Sequence, residues 1–167
     1  DAISHSNHDN FEVRIIGNGP MKNNLINLIK SKKLTKVISI KKFNKNYIKH
    51  LNWSNLYINT SDFEGFPNSV VEAINNNIFV LSRNSGGGIN DIIVNNSLGR
   101  IISEDSPEAL VKEIQNYAKK NKSYIIKDRK KVVNKFSKFL AKNVSKEYEK
   151  LFNNFKWKKN LNLVSLL

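Results

Sequence analysis

The chain has 167 residues, no cysteine, and 28 Lys+Arg against 14 Asp+Glu, a formal net charge of +14. That length suits one domain with a core of its own, the missing cysteines exclude a disulfide framework or thiolate metal site, and no apolar run approaches the roughly 20 residues of a membrane span. The charge invites a nucleic-acid or membrane-surface reading, yet the basic residues are overwhelmingly Lys and Asn is about one residue in six, several times ordinary usage. Lys, Asn and Ile together are what an AT-rich coding sequence favours, so composition by itself weighs little.

The chain begins with Asp1 and its only Met is Met21, so it is expected to be a piece of a longer protein, with residues 1–10 the frayed end of a helix. Phe11 to Ile16 reads as a short buried strand, stopped by the turn Gly17-Asn18-Gly19-Pro20. Leu25, Ile26, Leu28 and Ile29 give a helical stripe over about 22–33. Lys36 to Ile40 is a second strand, Asn46 to Leu51 a short helix, and Asn55 to Asn59 a third strand. After a loop comes a helix over about 68–76 and a strand from Ile78 to Ser82. The turn Gly86-Gly87-Gly88 leads into a short helix near Ile89 to Val94. Gly99 to Ile102 is a last strand, and Pro107 sits just inside a helix reaching about Ala118. Strands alternating with helices predict a doubly wound, Rossmann-like α/β fold, its parallel sheet covered on both faces, over residues 11–118. Residues 119–167 read as a helical extension. Val132, Val133, Phe136, Phe139 and Leu140, then Val144, Tyr148, Leu151, Phe152 and Phe155, recur at helical spacing. Basic amphipathic helices of this kind can lie on an anionic membrane, but an apolar face docked on protein is the commoner use.

The informative stretch is Ser61-Asp62-Phe63-Glu64-Gly65-Phe66-Pro67-Asn68-Ser69-Val70-Val71-Glu72-Ala73. It follows a strand and opens a helix, which in a doubly wound sheet is the carboxyl-end crevice where ligands bind. With Pro67 as the first helical residue, the amides of Asn68, Ser69 and Val70 would be free, and a helix N-terminus with free amides is a phosphate site. Glu72 lies five residues past Pro67, so its Cα sits roughly 7–8 Å further along, about the step from a diphosphate to its ribose. A carboxylate only accepts hydrogen bonds, which suits a diol. A lone helix-surface Glu is usually a solvated charge, and a Glu just before a helix is usually a dipole partner. The joint pattern of glycine, proline, asparagine and both carboxylates reverses those odds.

This pattern resembles the glycosyltransferase group 1 family, mostly retaining enzymes of GT-B fold whose signature is two Glu separated by seven residues, as Glu64 and Glu72 are. The likeness extends to Ile15-Ile16-Gly17-Asn18-Gly19-Pro20, to Phe43 through Tyr47, to Asn52 through Ser61, to the strand Ile78–Ser82, and to Gly86-Gly87-Gly88-Ile89-Asn90-Asp91-Ile92. As a dinucleotide fingerprint the first glycine turn fails, because Lys22 stands where a third glycine belongs. The resemblance implies the C-terminal, donor-binding half of a GT-B enzyme. Its donor would be a nucleoside-diphosphate sugar and its acceptor a cell-surface glycan or lipid-linked group held by a missing N-terminal domain. By position, Glu64 would bind the donor sugar at the reaction centre, Gly65, Phe66, Pro67, Asn68 and Ser69 would line the sugar and phosphate pocket, and Glu72 would take the ribose. Ile40 and Lys41, within Ile38 to Phe43, would flank the base. Gly17, Gly87, Gly88 and Asp91 are further candidates, Asp91 standing where members carry Glu. No cofactor or essential metal is implied, and Asp62 with Glu64 lacks a third ligand. His5, His8 and His50 are scattered and read as non-catalytic.

The family's donor domain also has an upstream strand, which in the 3-2-1-4-5-6 order is central. Without it the sheet would be incomplete. The expected setting is cytoplasmic, with peripheral contact at the inner membrane face. Two other readings remain: a non-catalytic nucleotide-sugar or polyanion module, and a basic nucleic-acid binder. The last lacks any aromatic stacking platform or nucleic-acid motif.

Overall fold

A computed structural model of the chain describes residues 2–5, 11–120 and 141–154. The chain divides into two compact units, Asp1–Arg129 and Lys130–Leu167. In the first, the strands are β1 (Val13–Ile16), β2 (Ile38–Lys41), β3 (Leu56–Asn59), β4 (Phe79–Arg83) and β5 (Gly99–Ile102), and the helices are α1 (Lys22–Ser31), α2 (Ile48–Trp53), α3 (Asn68–Asn75), α4 (Ile89–Ile92) and α5 (Pro107–Lys120). Every strand pairing is parallel, as the alternation predicts.

The strands form two sheets, β1-β2 and β3-β4-β5. Val13 opposes Ile38 in the first; Leu56 opposes Phe79, and Val80 opposes Gly99, in the second. This is what a 3-2-1-4-5-6 order gives when strand 1 is taken out of its middle. At Gly99 a β-carbon would stand 2.4 Å from the Val80 carbonyl oxygen, so β5 can lie this close to β4 only with glycine there.

β4 sits centrally in the larger sheet, and Phe79, Val80, Leu81 and Ser82 are all buried. Phe79 and Leu81 join Ile102 of β5 and Ile114 of α5 in one cluster, capped by Leu56, Ile58, Leu110 and Tyr117. By the strand's alternation Val80 and Ser82 face the other way, and α3, which also packs on β3 and β4, buries Val70, Ala73 and Ile74 completely. An apolar run buried on both faces is the mark of a covered parallel strand. Tyr117 stacks on Phe79 and its hydroxyl donates to the Asn55 carbonyl at 2.6 Å, while burial raises its pKa. Residues Ala2–His5, expected to fray, form a 3-10 turn against α5, with Ile3 packed on the same cluster. The segment has an apolar partner, which charge and terminal position gave no hint of.

Local chemistry sets the element ends. α5 begins at Pro107, and Ser106 Oγ accepts from the Ala109 amide at 3.1 Å, a side-chain N-cap. α1 ends at Ser31 rather than 33 because Lys33 turns left-handed (φ 57°), and Leu34 then bonds back to the Ile29 carbonyl. α2 starts at Ile48 rather than Asn46, because Asn46 and Tyr47 belong to a turn: both amides donate to Asn44, at 2.9 and 3.0 Å.

In the second unit α6 (Ala141–Asn154) is the expected amphipathic helix, and Tyr148 stacks on Phe152. The stripe expected from Val132 to Leu140, and Phe155, lie outside the described residues.

Candidate functional site

β3 ends at Asn59, whose Nδ2 donates to Ser82 Oγ at 3.1 Å, and both groups are buried. This satisfied pair locks the carboxyl ends of β3 and β4 in register directly below the loop that follows. In that loop Glu64 is held from three sides. Ser61 Oγ donates to its Oε1 at 2.8 Å, its amide donates to the Ser85 carbonyl at 3.2 Å, and its own carbonyl lies against Gly87. The Gly88 amide donates to the Gly65 carbonyl at 2.8 Å. A β-carbon on Gly88 would meet the Phe66 ring at 3.0 Å. The glycine turn is thus a seat for Glu64-Gly65-Phe66. Gly87 and Gly88, expected as further site candidates, lie against the backbone that presents Glu64.

The Asp62 carboxylate pairs with the Arg83 guanidinium, which also holds Asp105. The Ser85 hydroxyl is buried with no hydrogen-bond partner among the described residues.

At the start of α3 the expectation needs correcting. Pro67 is not the first helical residue but the cap: its ψ of 86° is non-helical, and its carbonyl accepts from the amides of Val70 and Val71 at 3.0 and 3.3 Å. Val70 is therefore not free to meet an anion. Asn68 and Ser69, both exposed, keep amides with no backbone acceptor among the described residues. Two donors at the positive end of the helix remain, not three.

One turn further on, Glu72 is half-buried. The nearby Glu72 carboxylate, and then burial, raise the Tyr47 pKa above its ordinary value. Tyr47 follows the segment expected beside a base. There the Gly17 amide donates to the Lys41 carbonyl at 3.0 Å. Gly17 and Ile40 line a shallow apolar depression with Met21 and Leu25. Gly17, Ile40 and Lys41 are thus brought together. Asp91 sits exposed in the first turn of α4. His50 has its Nδ1 buried without a partner among the described residues. Burial, with Lys49, Arg14 and Lys41 nearby, lowers its pKa from 6.5, so it stays neutral at pH 7.

Sequence reasoning missed Ser61, Tyr47, Arg83 and Ser85. Arg83 carried a signal: it directly follows the strand read as Ile78–Ser82, a charge at the carboxyl end of a central strand.

The chain resembles known proteins along most of its length. The family model for glycosyl transferases group 1 matches residues 1–139. An uncharacterized glycosyltransferase, MJ1059 of Methanocaldococcus jannaschii, is 34% identical over 86 residues, 52% of this chain and 21% of that protein. A glycosyltransferase from Rickettsia africae superposes with a TM-score of 0.77 at 24% identity, covering 92% of this chain and 43% of that one. Anabaena Alr3699/HepE, solved in complex with UDP-glucose, gives 0.74 at 15% identity, covering 93% and 44%. The chain therefore spans less than half the length of each. Its parallel α/β architecture is that of the C-terminal, Rossmann-like half of GT-B glycosyltransferases. The family match takes in the glycine seat, the Pro67 cap and both glutamates, and the chain belongs to the glycosyl transferases group 1.

Proposed function

We propose that the chain is the donor-binding half of a transferase that moves a sugar, with retention, from a nucleoside-diphosphate sugar to a cell-surface glycan or lipid-linked acceptor. The observation that carries this reading is the disposition of the two glutamates about the start of α3. Glu64 stands before it, fixed by Ser61 and the glycine seat, and Glu72 stands half-buried one turn into it. Glu64 then meets the sugar, the Asn68 and Ser69 amides meet a phosphate, and Glu72 meets the ribose. The sugar leaves with its bonding to the diphosphate broken, so stabilising the departing negative charge is the main catalytic task, and oriented amides do so without reorganising. The complex of Anabaena Alr3699/HepE with UDP-glucose supports this donor class. Donor binding of this kind needs no metal or cofactor. No helix among the described residues is long and apolar enough to cross a membrane. We place the enzyme in the cytoplasm or peripherally at the inner membrane face.

The test is Glu72→Ala in the full-length protein. Losing a charged acceptor for two hydroxyls raises the donor Kd by about tenfold to a hundredfold. Unchanged donor affinity and activity would remove the ribose assignment. The +14 charge sustains nucleic-acid binding as the competing reading, which predicts affinity that falls steeply with salt and ignores Glu72.

A further inference from the structure

We propose that Arg83 is a positioning residue for the donor sugar: from the end of β4 it clamps Asp62 on one side and Asp105 on the other, and so fixes the loop that presents Glu64. The inference rests on the reading of Glu64 as the group that meets the sugar.

The loops after β3 and β4 run on as a pair beyond the strands. Asn59 opposes Ser82 at the last step of the ladder. Further on, the Glu64 amide donates to the Ser85 carbonyl at 3.2 Å, and the Gly88 amide donates to the Gly65 carbonyl at 2.8 Å. Those two bonds grip Glu64 and the residue after it. Upstream the grip is ionic: Arg83 Nη1 donates to Asp62 Oδ1, while Nη2 donates to Asp105 Oδ2. Asp105 directly precedes Ser106, whose hydroxyl caps α5. The guanidinium is thus braced against an element outside the loop it holds.

Between the ionic anchor and Glu64 comes Phe63, which is 78% exposed. The one large apolar side chain of the segment therefore adds little burial to hold it in place, and polar contacts set its position. Glu64 meets a sugar productively only from a backbone held to within about 0.5 Å. Arginine suits the task, because its planar fork offers separate donors to two carboxylates at once, whereas a lysine presents one mobile ammonium. The Asp62 and Asp105 side chains are 87% and 69% exposed, so each pair is modest and screened by salt. A contact of that strength biases a loop among its conformations and does little for the stability of the fold.

The experiment uses the full-length protein with UDP, GDP, ADP and CDP, each beside its glucose ester, and calorimetry gives every Kd. The readout is the Kd ratio of diphosphate to glucose ester in the tightest-binding pair, which isolates what the sugar adds. Asp62→Asn removes one arm of the clamp, and Arg83→Lys keeps the charge but loses the fork. Each is expected to weaken the glucose ester about twofold to fivefold, with the free diphosphate bound no more weakly than before. Asp62→Glu, which restores the charge, should recover part of the loss, and high salt should bring the wild-type ratio toward that of Asp62→Asn. A role in stability alone, or direct contact of Arg83 with the phosphates, would weaken both ligands alike and leave the ratio intact. That result, with Glu64→Gln lowering the ratio, overturns the positioning role while the sugar reading of Glu64 stands. A ratio unmoved by Glu64→Gln, or binding of none of the pairs, removes that reading and this one with it.

Discussion

At Gly87 a β-carbon would stand 2.0 Å from the Glu64 carbonyl oxygen, and the residue holds φ at 53°. The first demand excludes every other residue unless the loop that carries Glu64 moves, and the second is met by other residues only at a cost. Gly87→Ala is expected to destabilise the protein by about 2–4 kcal/mol, the sum of a left-handed alanine and an overpacked contact. It should also lower kcat in the full-length enzyme, because the Glu64 backbone must give way; urea melts and steady-state kinetics check both. Gly17 and Gly65 have open space where a β-carbon would go, so alanine there serves as the tolerant control. Glu64 and Glu72 were legible because their spacing is written in one contiguous segment. Their partners were less so. Ser61 lies within the same loop, yet its hydroxyl has other uses in a turn, and Tyr47 comes near Glu72 only once β2 and α3 are folded. Pairings made across the fold leave no spacing to read.

The helices show the same division between local and non-local signals. α1 and α3 end alike: Lys33 (φ 57°) and Asn77 (φ 60°) take the left-handed position, and the next residues, Leu34 and Ile78, bond back to Ile29 and Ala73 at 2.9 and 3.0 Å. Asn tolerates that conformation and Lys does so at a cost. Lys33→Gly is expected to stabilise the protein by about 0.5–1 kcal/mol, the relief of strain less the glycine's extra chain entropy, read as a higher urea midpoint at unchanged slope. Among the described residues of this first unit, the sequence pattern located the five strands and α1 to α5 to within a few residues, since each rests on its own apolar run. It ran α1 past its end because an αL lysine carries no warning, and it began α2 too early because Asn44 draws Asn46 and Tyr47 into a turn. The cap at Pro67 was misjudged for a related reason. Proline suits both the first helical position and the residue before it, and only the ψ angle tells them apart. At Pro107 a preceding serine settles the matter; at Pro67 the preceding residue is Phe66, which cannot cap.

For the molecule as a whole, periodicity shows parallel α/β structure but not strand order. The order came with the family resemblance, and the split into β2-β1 and β3-β4-β5 follows it. The net charge of +14 is less telling: from Val13 through Ser61 there is no acidic residue, and the two glutamates that matter come just after. The chain spans 43% of the Rickettsia structure and 44% of the Anabaena one. On the proposed reading this chain supplies donor binding, and holding the incoming hydroxyl in line with the donor is a separate task. The 167-residue chain alone is therefore expected to show no turnover, and sugar transfer by it in a radiolabel assay would contradict this.

The division into two sheets has a colloidal consequence. Among the described residues, β1 pairs only with β2 and β3 only with β4, so each offers a bare row of amides and carbonyls along one side. Such rows recruit strands from other molecules. Mutual repulsion among copies carrying fourteen surplus positive charges opposes that recruitment, and added salt screens it away within about a nanometre. Solubility of the isolated chain is then a contest between unsatisfied backbone and like charge, decided by ionic strength.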